Sequence, residues 1–343
     1  MNQRIYLVTG VTGSGRKEVL EELKSFAESK NKTISIYDIG IAIEENAKNN
    51  DIPFVESKIL NLDKSVLGLL RTLAIRDVQK RMENDISDVI FIGMHALFVW
   101  KDTLIPGVSY RDLMELNING VINIIDDIKN IIKTNKDHPK YIGERMPSYT
   151  SIQRWMIEEE LLSEIFASIK GVKMYVHARA QEIENLYNFF FDDRKKVYLS
   201  YPITQIRNDP ELLEKISNVY RSQVQEKFYV FNPLDIQDKT DFVQKTVEDP
   251  EFYSEENEKM IDSRTVTRDY RFITQSDAVV VLYPTDKLSS GVAAEMSFAY
   301  NHQIPVYIYY KESISPFLEE KAKIYKSFKE LSIALDSFAK NEN

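Results

Sequence analysis

The chain has 343 residues, of which 43% are hydrophobic, and this is enough for two ordinary domains that each bury a core. Its net charge is −9 and it has no long lysine/arginine cluster, which argues against a nucleic-acid polymer as the main partner. It contains no cysteine, so disulfides, thiolate nucleophiles and cysteine-ligated metal sites are excluded.

The hydropathy pattern predicts neither a secretory leader nor a membrane-spanning segment. The start, MNQRIYLVTG, runs directly into a strand-like segment, and no apolar run reaches the length that crosses a bilayer. The four histidines are scattered without the spacing of a metal site, so we expect no metal ligands among them. We therefore predict a cytoplasmic protein that binds neither membranes nor a structural metal.

The first half of the chain alternates strand-like and helix-like segments. Strands are predicted at RIYLVTG, TISIYDIG, DVIFIGMH and VKMYVHA, helices at 16–30, 63–84 and SIQRWMIEEELLSEIFASIKG, and a strand passing into a helix at GVINIIDDIKNII. Such alternation is typical of a parallel sheet with helices on both faces.

Glycines follow the first predicted strand, in LVTGVTGSGRK. Gly10 and Gly15 give the G-x-x-x-x-G frame of a P-loop, whose backbone N–H groups wrap phosphate oxygens. Arg16 and Lys17 stand where that motif has lysine and a hydroxyl residue, and Lys17 lacks the oxygen that normally ligates magnesium. The loop predicts either phosphate binding or a turn that only packs strand against helix. The predicted phosphate-binding residues are Gly10, Thr12, Gly13, Ser14, Gly15, Arg16 and Lys17.

This loop and the alternation around it resemble nucleoside monophosphate kinases, particularly archaeal adenylate-kinase-like proteins. The resemblance covers roughly residues 1–130. It implies ATP and Mg²⁺ as possible ligands of this half. Because Lys17 replaces the magnesium-binding hydroxyl, we expect nucleotide binding more readily than phosphoryl transfer.

A second series of elements begins after the charged residues 192–196. Strands are predicted at KVYLSYP, FYVFNP, DAVVVLYP and PVYIYY, and helices at 210–226, 257–275 and 291–301. We therefore expect two three-layer α/β domains, 1–192 and 193–343, each with a mainly parallel, Rossmann-like sheet.

A carboxylate, Glu295, lies near the start of the predicted helix 291–301, behind three small residues, Ser289, Ser290 and Gly291. A helix entrance of this composition attracts anions, and its dipole should keep Glu295 ionised at neutral pH. Glu295 is then either a reactive carboxylate beside an anion site or a residue that only complements the dipole.

Residues 196–310 resemble the nucleoside 2-deoxyribosyltransferase family and its relatives that hydrolyse deoxynucleoside 5′-monophosphates. The matching features are the strand–turn VYLSYPIT, the pair Asp269 and Asp277 before AVVVLY, and the loop and helix SSGVAAEMSFAY. The resemblance implies that Glu295 is the nucleophile at the anomeric carbon and that Asp269 handles the proton of the leaving base. It also implies a homo-oligomer and no cofactor for this step. The predicted substrate-binding residues are Ser200, Tyr201, Ser289, Ser290 and Gly291.

The residue six positions before Glu295 bears on the substrate. Relatives that transfer bases between nucleosides tend to have an acid there, whereas this chain has Ser289. In having a serine at this position the chain resembles the monophosphate hydrolases, because a carboxylate there would repel a 5′-phosphate. Ordinary capping of the helix by Ser290 is the competing explanation.

Together these patterns predict an enzyme that acts on a small nucleotide. It would be an N-glycosidase or deoxyribosyltransferase with a covalent glycosyl-glutamate intermediate, joined to a P-loop nucleotide-binding half. Two alternatives are a nucleotide-binding sensor without efficient turnover and a hydrolase of NAD or of a signalling nucleotide.

Overall fold

The computed structural model describes residues 3–55, 58–101, 103–206, 209–248, 254–285, 289–313 and 315–340. The described residues form two compact units, Met1–Ile183 with Ile236–Asn257, and Glu184–Asp235 with Glu258–Asn343. The chain first passes from one unit to the other between residues 183 and 184, which is before the boundary expected between residues 192 and 193. The segment Ile236–Asn257 belongs to the first unit although the sequence placed it in the second domain.

Hydrogen bonds explain why this segment packs with the first unit. The N–H of Ile128 donates to Asp238 Oδ1 at 2.8 Å, and the N–H of Gln237 donates to Asp127 Oδ1 at 2.6 Å. These two bonds tie the segment to the turn around residues 127 and 128. Such long-range pairing has no signature in local sequence periodicity.

Up to residue 178 the residues that the structure describes form seven strands and six α-helices. The strands are β1 (Arg4–Thr9), β2 (Ile34–Asp38), β3 (Val89–Gly93), β4 (Leu97–Trp100), β5 (Thr103–Pro106), β6 (Gly120–Ile125) and β7 (Lys173–Ala178). The helices are α1 (Arg16–Ser29), α2 (Ile39–Asn49), α3 (Lys64–Met82), α4 (Tyr110–Glu115), α5 (Ile128–Lys136) and α6 (Tyr149–Lys170). A short 3₁₀ turn, Pro139–Tyr141, lies between α5 and α6.

The first sheet has the order β2-β3-β1-β6-β7, and all its neighbouring strands are parallel. β3 and β6 are buried along their whole length, as expected for a parallel sheet covered on both faces. β1 is central, with Leu7 paired to both Ile92 and Val121. The loop after β1 therefore opens at the middle of the carboxyl edge. β4 and β5 form a separate antiparallel hairpin.

From residue 183 the described part of the chain forms eight α-helices and five strands. In chain order they are α7 (Ile183–Phe191), β8 (Lys196–Ser200), α8 (Ile203–Ile206), α9 (Pro210–Val219), β9 (Tyr229–Phe231), α10 (Asp238–Glu248), α11 (Glu255–Thr274), β10 (Ala278–Tyr283), α12 (Ser290–Asn301), β11 (Val306–Tyr310), α13 (Pro316–Glu319), β12 (Lys323–Tyr325) and α14 (Phe328–Ala339).

The second sheet has the order β12-β11-β10-β8-β9 and is also parallel throughout. Its strand order reverses between β8 and β10, where Val281 of β10 pairs with Ser200 of β8. Open α/β sheets bind ligands at the carboxyl edge of such a reversal. The predicted fold class, two α/β regions with mainly parallel sheets flanked by helices, is confirmed. Among the described residues, no helix has both the length and the apolar character to cross a membrane.

Candidate active site

Glu295 lies in the second turn of α12, and its carboxylate is bound by side chains of β8. Tyr198 Oη donates to Oε1 at 2.9 Å, and Ser200 Oγ donates to Oε2 at 2.5 Å. Tyr198 and Ser200 are two residues apart on one strand, so both side chains stand on the same face of the sheet. The strand-order reversal thus places a carboxylate with both oxygens hydrogen-bonded at the expected ligand position.

The carboxyl group of Glu295 holds its proton more strongly than the sequence suggested. Burial raises the pKa of Glu295 to about 7, and the negative charge of Asp269 contributes, outweighing the hydrogen bonds from Ser200 and Tyr198 that lower it. The helix dipole was expected to keep Glu295 ionised at neutral pH, whereas a pKa of about 7 leaves the group only partly ionised there. The dipole amounts to about half a charge at the helix end, whereas burial removes the carboxylate from water.

Asp269 lies on α11 and is held by its neighbour in the chain. Arg268 donates to Asp269 Oδ1 from Nε at 3.0 Å and from Nη2 at 2.8 Å. Burial raises the pKa of Asp269, and the charge and hydrogen bonds of Arg268 act against that rise. Because the charge of Asp269 raises the pKa of Glu295, the two carboxyl groups titrate as a pair.

The hydroxyl of the predicted substrate-binding residue Tyr201 is hydrogen-bonded elsewhere, although the charges of Glu295 and Asp269 both act on it. Tyr201 is buried in the core, and its hydroxyl donates to Asn232 Oδ1 at 2.7 Å. Ser200, the residue before it, does contact Glu295. Of the two predicted strand-exit residues, Ser200 is hydrogen-bonded to the Glu295 carboxylate and Tyr201 to Asn232.

The small residues before Glu295 begin the helix that carries it. Ser289 caps α12, with its Oγ accepting from the N–H of Val292 at 3.5 Å, so Ser289 and not Ser290 is the capping residue. The N–H of Ser289 donates to the hydroxyl of Tyr283. Ser290 and Gly291 are exposed in the first turn of α12. First-turn N–H groups lack partners within a helix, so this end can receive an anion.

Two residues that bind the carboxylates were not identified from the sequence. Tyr198 could have been found, because it stands two positions before Ser200 and strand side chains alternate between faces. Arg268 is adjacent to Asp269, but a helix pattern alone does not show that its guanidinium turns back onto that carboxylate.

The glycine-rich loop after β1 has the backbone conformation that its glycines predict. Gly13 and Gly15 have φ values of 90° and 76°, and Gly15 immediately precedes α1. A Cβ at position 13 would lie 2.8 Å from Asn135 Oδ1, so a side chain there is excluded by space as well as by φ. The loop therefore presents the N-terminus of α1 at the carboxyl edge of the first sheet.

Arg16 and Lys17 both face Asp38, at the end of β2. Arg16 Nη2 is 3.1 Å and Lys17 Nζ is 3.5 Å from Asp38 Oδ2. Asp38 also accepts from the N–H of Ile41 at the start of α2. A divalent cation needs oxygen ligands here, but the loop offers an ammonium and Asp38 already binds two cations, so these residues do not fit Mg²⁺. Elsewhere in the described ranges, no group of three acidic or histidine side chains is arranged to hold a metal.

Glu159 of α6 fixes the start of the glycine loop. Its carboxylate accepts from the N–H of Gly10 at 3.0 Å, of Ala96 at 2.8 Å and of Leu97 at 2.7 Å. The side chain is fully enclosed, and burial raises the pKa of Glu159 to about 7 against these three bonds. One buried carboxyl group thus joins the loop to the segment after β3.

Glu159→Ala should destabilise the protein strongly. It leaves three buried N–H groups without their acceptor, and each such group costs about 1–3 kcal/mol. Urea unfolding measures the loss against Glu164→Ala, an exposed position on the same helix where a change within about 0.5 kcal/mol is expected. Equal stabilities of the two variants would contradict this role of Glu159.

A cavity of about 390 Å³ lies beside the loop. Its lining includes Gly13, Gly15, Arg16, Arg71 and Lys140. The predicted loop residue Thr12 also lines it, whereas Ser14 is buried and its hydroxyl has no hydrogen-bond partner among the described residues. Arg71 and Lys140 lie far from the loop in sequence and were not predicted.

Comparison with known proteins gives partial likenesses for both halves. A 2-deoxyribosyltransferase from Bacillus psychrosaccharolyticus is 19% identical over 41% of this chain and 95% of that chain, with a TM-score of 0.29. A conserved protein from Enterococcus faecalis V583 is 16% identical over 42% of this chain and 99% of that chain, with a TM-score of 0.31. Shikimate kinase from Acinetobacter baumannii is 12% identical over 55% of this chain and 93% of that chain, with a TM-score of 0.36.

No curated protein matches the chain. The model of the nucleoside 2-deoxyribosyltransferase family matches residues 197–334, a range that includes Tyr198, Ser200, Asp269 and Glu295. The resemblance expected from the sequence is confirmed, and the second half of this chain carries a domain of the nucleoside 2-deoxyribosyltransferase type.

Proposed function

We propose that the second unit cleaves the N-glycosidic bond of a nucleotide through a covalent ester on Glu295. The observation that carries the proposal is the arrangement of Glu295, which is held by Tyr198 and Ser200 with Asp269 close enough to raise its pKa. Glycosidic cleavage with a carboxylate nucleophile needs a second group that handles a proton. The two carboxyl groups supply both parts.

In the first step an oxygen of the Glu295 carboxylate attacks the anomeric carbon. The carbon–nitrogen bond breaks, its electron pair stays on the base, and the base nitrogen takes a proton from Asp269. In the second step water or another base attacks the same carbon, the ester bond to Glu295 breaks, and the incoming group gives its proton to Asp269. Water gives hydrolysis and a second base gives transfer.

For these two reaction steps with an ordinary base, Glu295 and Asp269 must together hold one proton. Burial raises the pKa of Glu295 to about 7, so the ligand-free pair holds a proton below that pH, while the charge and hydrogen bonds of Arg268 act against protonation of Asp269. The reactive form has the proton on Asp269 and the charge on Glu295. Tyr198 and Ser200 favour that form, because both donate hydrogen bonds to the Glu295 carboxylate.

The preferred substrate in this proposal is a 5′-monophosphate. Ser289 and the exposed first turn of α12 offer a hydroxyl and N–H groups rather than a carboxylate.

The first unit is proposed to bind nucleotide phosphate at the glycine loop, with ATP as a candidate ligand and without efficient phosphoryl transfer. Assembly into a homo-oligomer is also proposed, and the molar mass in solution tests it.

Ser289→Asp should weaken turnover of monophosphates selectively. Aspartate caps helices as well as serine does, so α12 should keep its start. The added carboxylate repels a phosphate, which should lower kcat/KM for a monophosphate by about tenfold or more and leave the nucleoside little changed. Steady-state kinetics on a matched nucleotide and nucleoside measure the ratio. An equal loss on both substrates would contradict phosphate binding at this helix end.

The proposal as a whole is tested by incubating the protein with a panel of nucleotides, nucleosides and NAD and measuring released base by chromatography. Base release that disappears in Glu295→Gln supports it. A ligand that raises the melting temperature without any base release identifies a sensor instead.

A further inference from the structure

The cavity beside the glycine loop contains two buried cations for which no carboxylate provides an ion pair among the described residues. Arg71 of α3 is 9% exposed and Lys140, in the turn Pro139–Tyr141, is 6% exposed. Both line the cavity of about 390 Å³ together with the loop. Burying a charge without a counter-charge costs several kcal/mol, so buried cations are normally paired.

Arg71 has spare hydrogen-bond donors. Its Nε and Nη2 are buried and make no hydrogen bond within the described part of the chain. Its guanidinium carbon lies 5.8 Å from the centre of the Phe98 ring. Burial lowers the pKa of Arg71 to about 10, which reflects a charge removed from water without a compensating anion.

Lys140 is enclosed by aromatic rings next to the loop. Its Nζ lies 5.4–5.5 Å from the ring centres of Phe98, Trp100, Tyr141 and Trp155. It donates to Thr12 Oγ1 at 3.3 Å, which places the ammonium at the phosphate loop itself. An ammonium has three donors, so this bond leaves it able to bind an anion. Burial lowers the pKa of Lys140 to about 8.

Of the carboxylates nearest the two cations, Asp38 and Glu159 are already engaged, and the other two carboxylates that line the cavity, exposed Glu18 and half-buried Glu44, form no ion pair with Arg71 or Lys140 among the described residues. Asp38 is bound by Arg16 and Lys17. Glu159, whose charge acts on Lys140, is hydrogen-bonded to three backbone N–H groups. The loop's own cations therefore face Asp38, while Arg71 and Lys140 share the ring of Phe98 and the open cavity.

We propose that Arg71 and Lys140 are the cationic ligands for a phosphate held at the glycine loop, with Lys140 supplying the ammonium that position 16 of the loop lacks. A phosphate bonded to the first-turn N–H groups of α1 would neutralise both cations and use their spare donors. This inference deepens the phosphate binding proposed for the first unit. It does not depend on base release by the second unit.

The test is calorimetric titration of the full-length protein with pyrophosphate and with ATP. Arg71→Met and Lys140→Met remove each charge and keep a long side chain. Each should weaken binding by about 10- to 100-fold, because a charge-assisted bond to phosphate is lost. The matched controls Arg76→Met, on the same helix as Arg71, and Lys136→Met are at exposed positions outside the cavity lining, and they should bind as the wild type does.

Melting temperatures without ligand separate a binding role from a structural one. If Arg71 serves to bind a ligand, Arg71→Met should melt no lower than the wild type and should lose the rise in melting temperature that the ligand causes. A structural cation predicts a lower melting temperature with unchanged affinity, which would overturn the inference. If both variants bind the probes as tightly as the wild type does, the inference about Arg71 and Lys140 is overturned, while phosphate binding by the loop still stands. A wild type that binds neither probe would overturn both.

Discussion

Glu295→Gln is expected to lower the rate of base release by about three orders of magnitude or more. Glutamine has nearly the same shape but lacks the negative charge that attacks the anomeric carbon. Ligand binding should persist, since the hydroxyls of Tyr198 and Ser200 remain in place. The measurement is kcat on the best substrate, with Glu320→Gln, an exposed glutamate of the same unit, as a control that keeps full activity.

The same variant should gain stability at high pH. Burial raises the pKa of Glu295 to about 7 from an ordinary value of 4.5. The folded state therefore favours the protonated group, and this contribution to stability is lost as the pH rises from about 4.5 through 7. Glu295→Gln should melt higher than the wild type at pH 8 and about equally at pH 5. A Glu295 that serves only the helix dipole predicts the reverse: a loss of about 0.3–1 kcal/mol with unchanged turnover.

Base release is expected to depend on pH in opposite ways for poor and good leaving groups. An ordinary base needs a proton from the carboxyl pair, so its release should decline as the pH rises above about 7, where the pair loses its last proton. A substrate whose base leaves without protonation needs only ionised Glu295. Its release should rise with pH to a plateau above about 7.

Asp269→Asn provides the control for these profiles. Removing the negative charge beside Glu295 should lower the pKa of Glu295, so the rise for the good leaving group should move to lower pH. The variant should lose more rate on the ordinary base than on the good leaving group. Identical pH profiles for both substrates in the wild type would contradict Asp269 as the proton donor.

Much of the fold follows from local sequence pattern. Parallel strands buried on both faces, such as β3 and β10, appear as continuous apolar runs between helical patterns, and the alternation fixes the α/β class. Helix α2 was missed although Ile39, Ala42 and Ile43 follow helical spacing, because the segment directly continues β2. Strand order and the attachment of residues 236–257 to the first unit depend on long-range contacts that periodicity does not encode.

The candidate site was predictable where neighbouring residues define it and not where distant residues meet. Glu295, Asp269 and the glycine loop each lie within a recognisable local pattern. Lys140 lies in a polar stretch between helices, and only the folded chain shows that its ammonium is surrounded by four rings. The pKa of Glu295 likewise depends on burial and on the charge of Asp269, which the helix position alone does not reveal.

The central claim, attack by Glu295 on the anomeric carbon, is tested most directly by the stereochemistry of the reaction. Base release is run in buffer containing methanol, and proton NMR gives the anomeric configuration of the first methyl glycoside formed. A covalent ester on Glu295 requires two displacements at the same carbon, so the product should retain the configuration of the nucleotide. An inverted product would show that water or methanol attacks directly, and it would contradict Glu295 as the nucleophile.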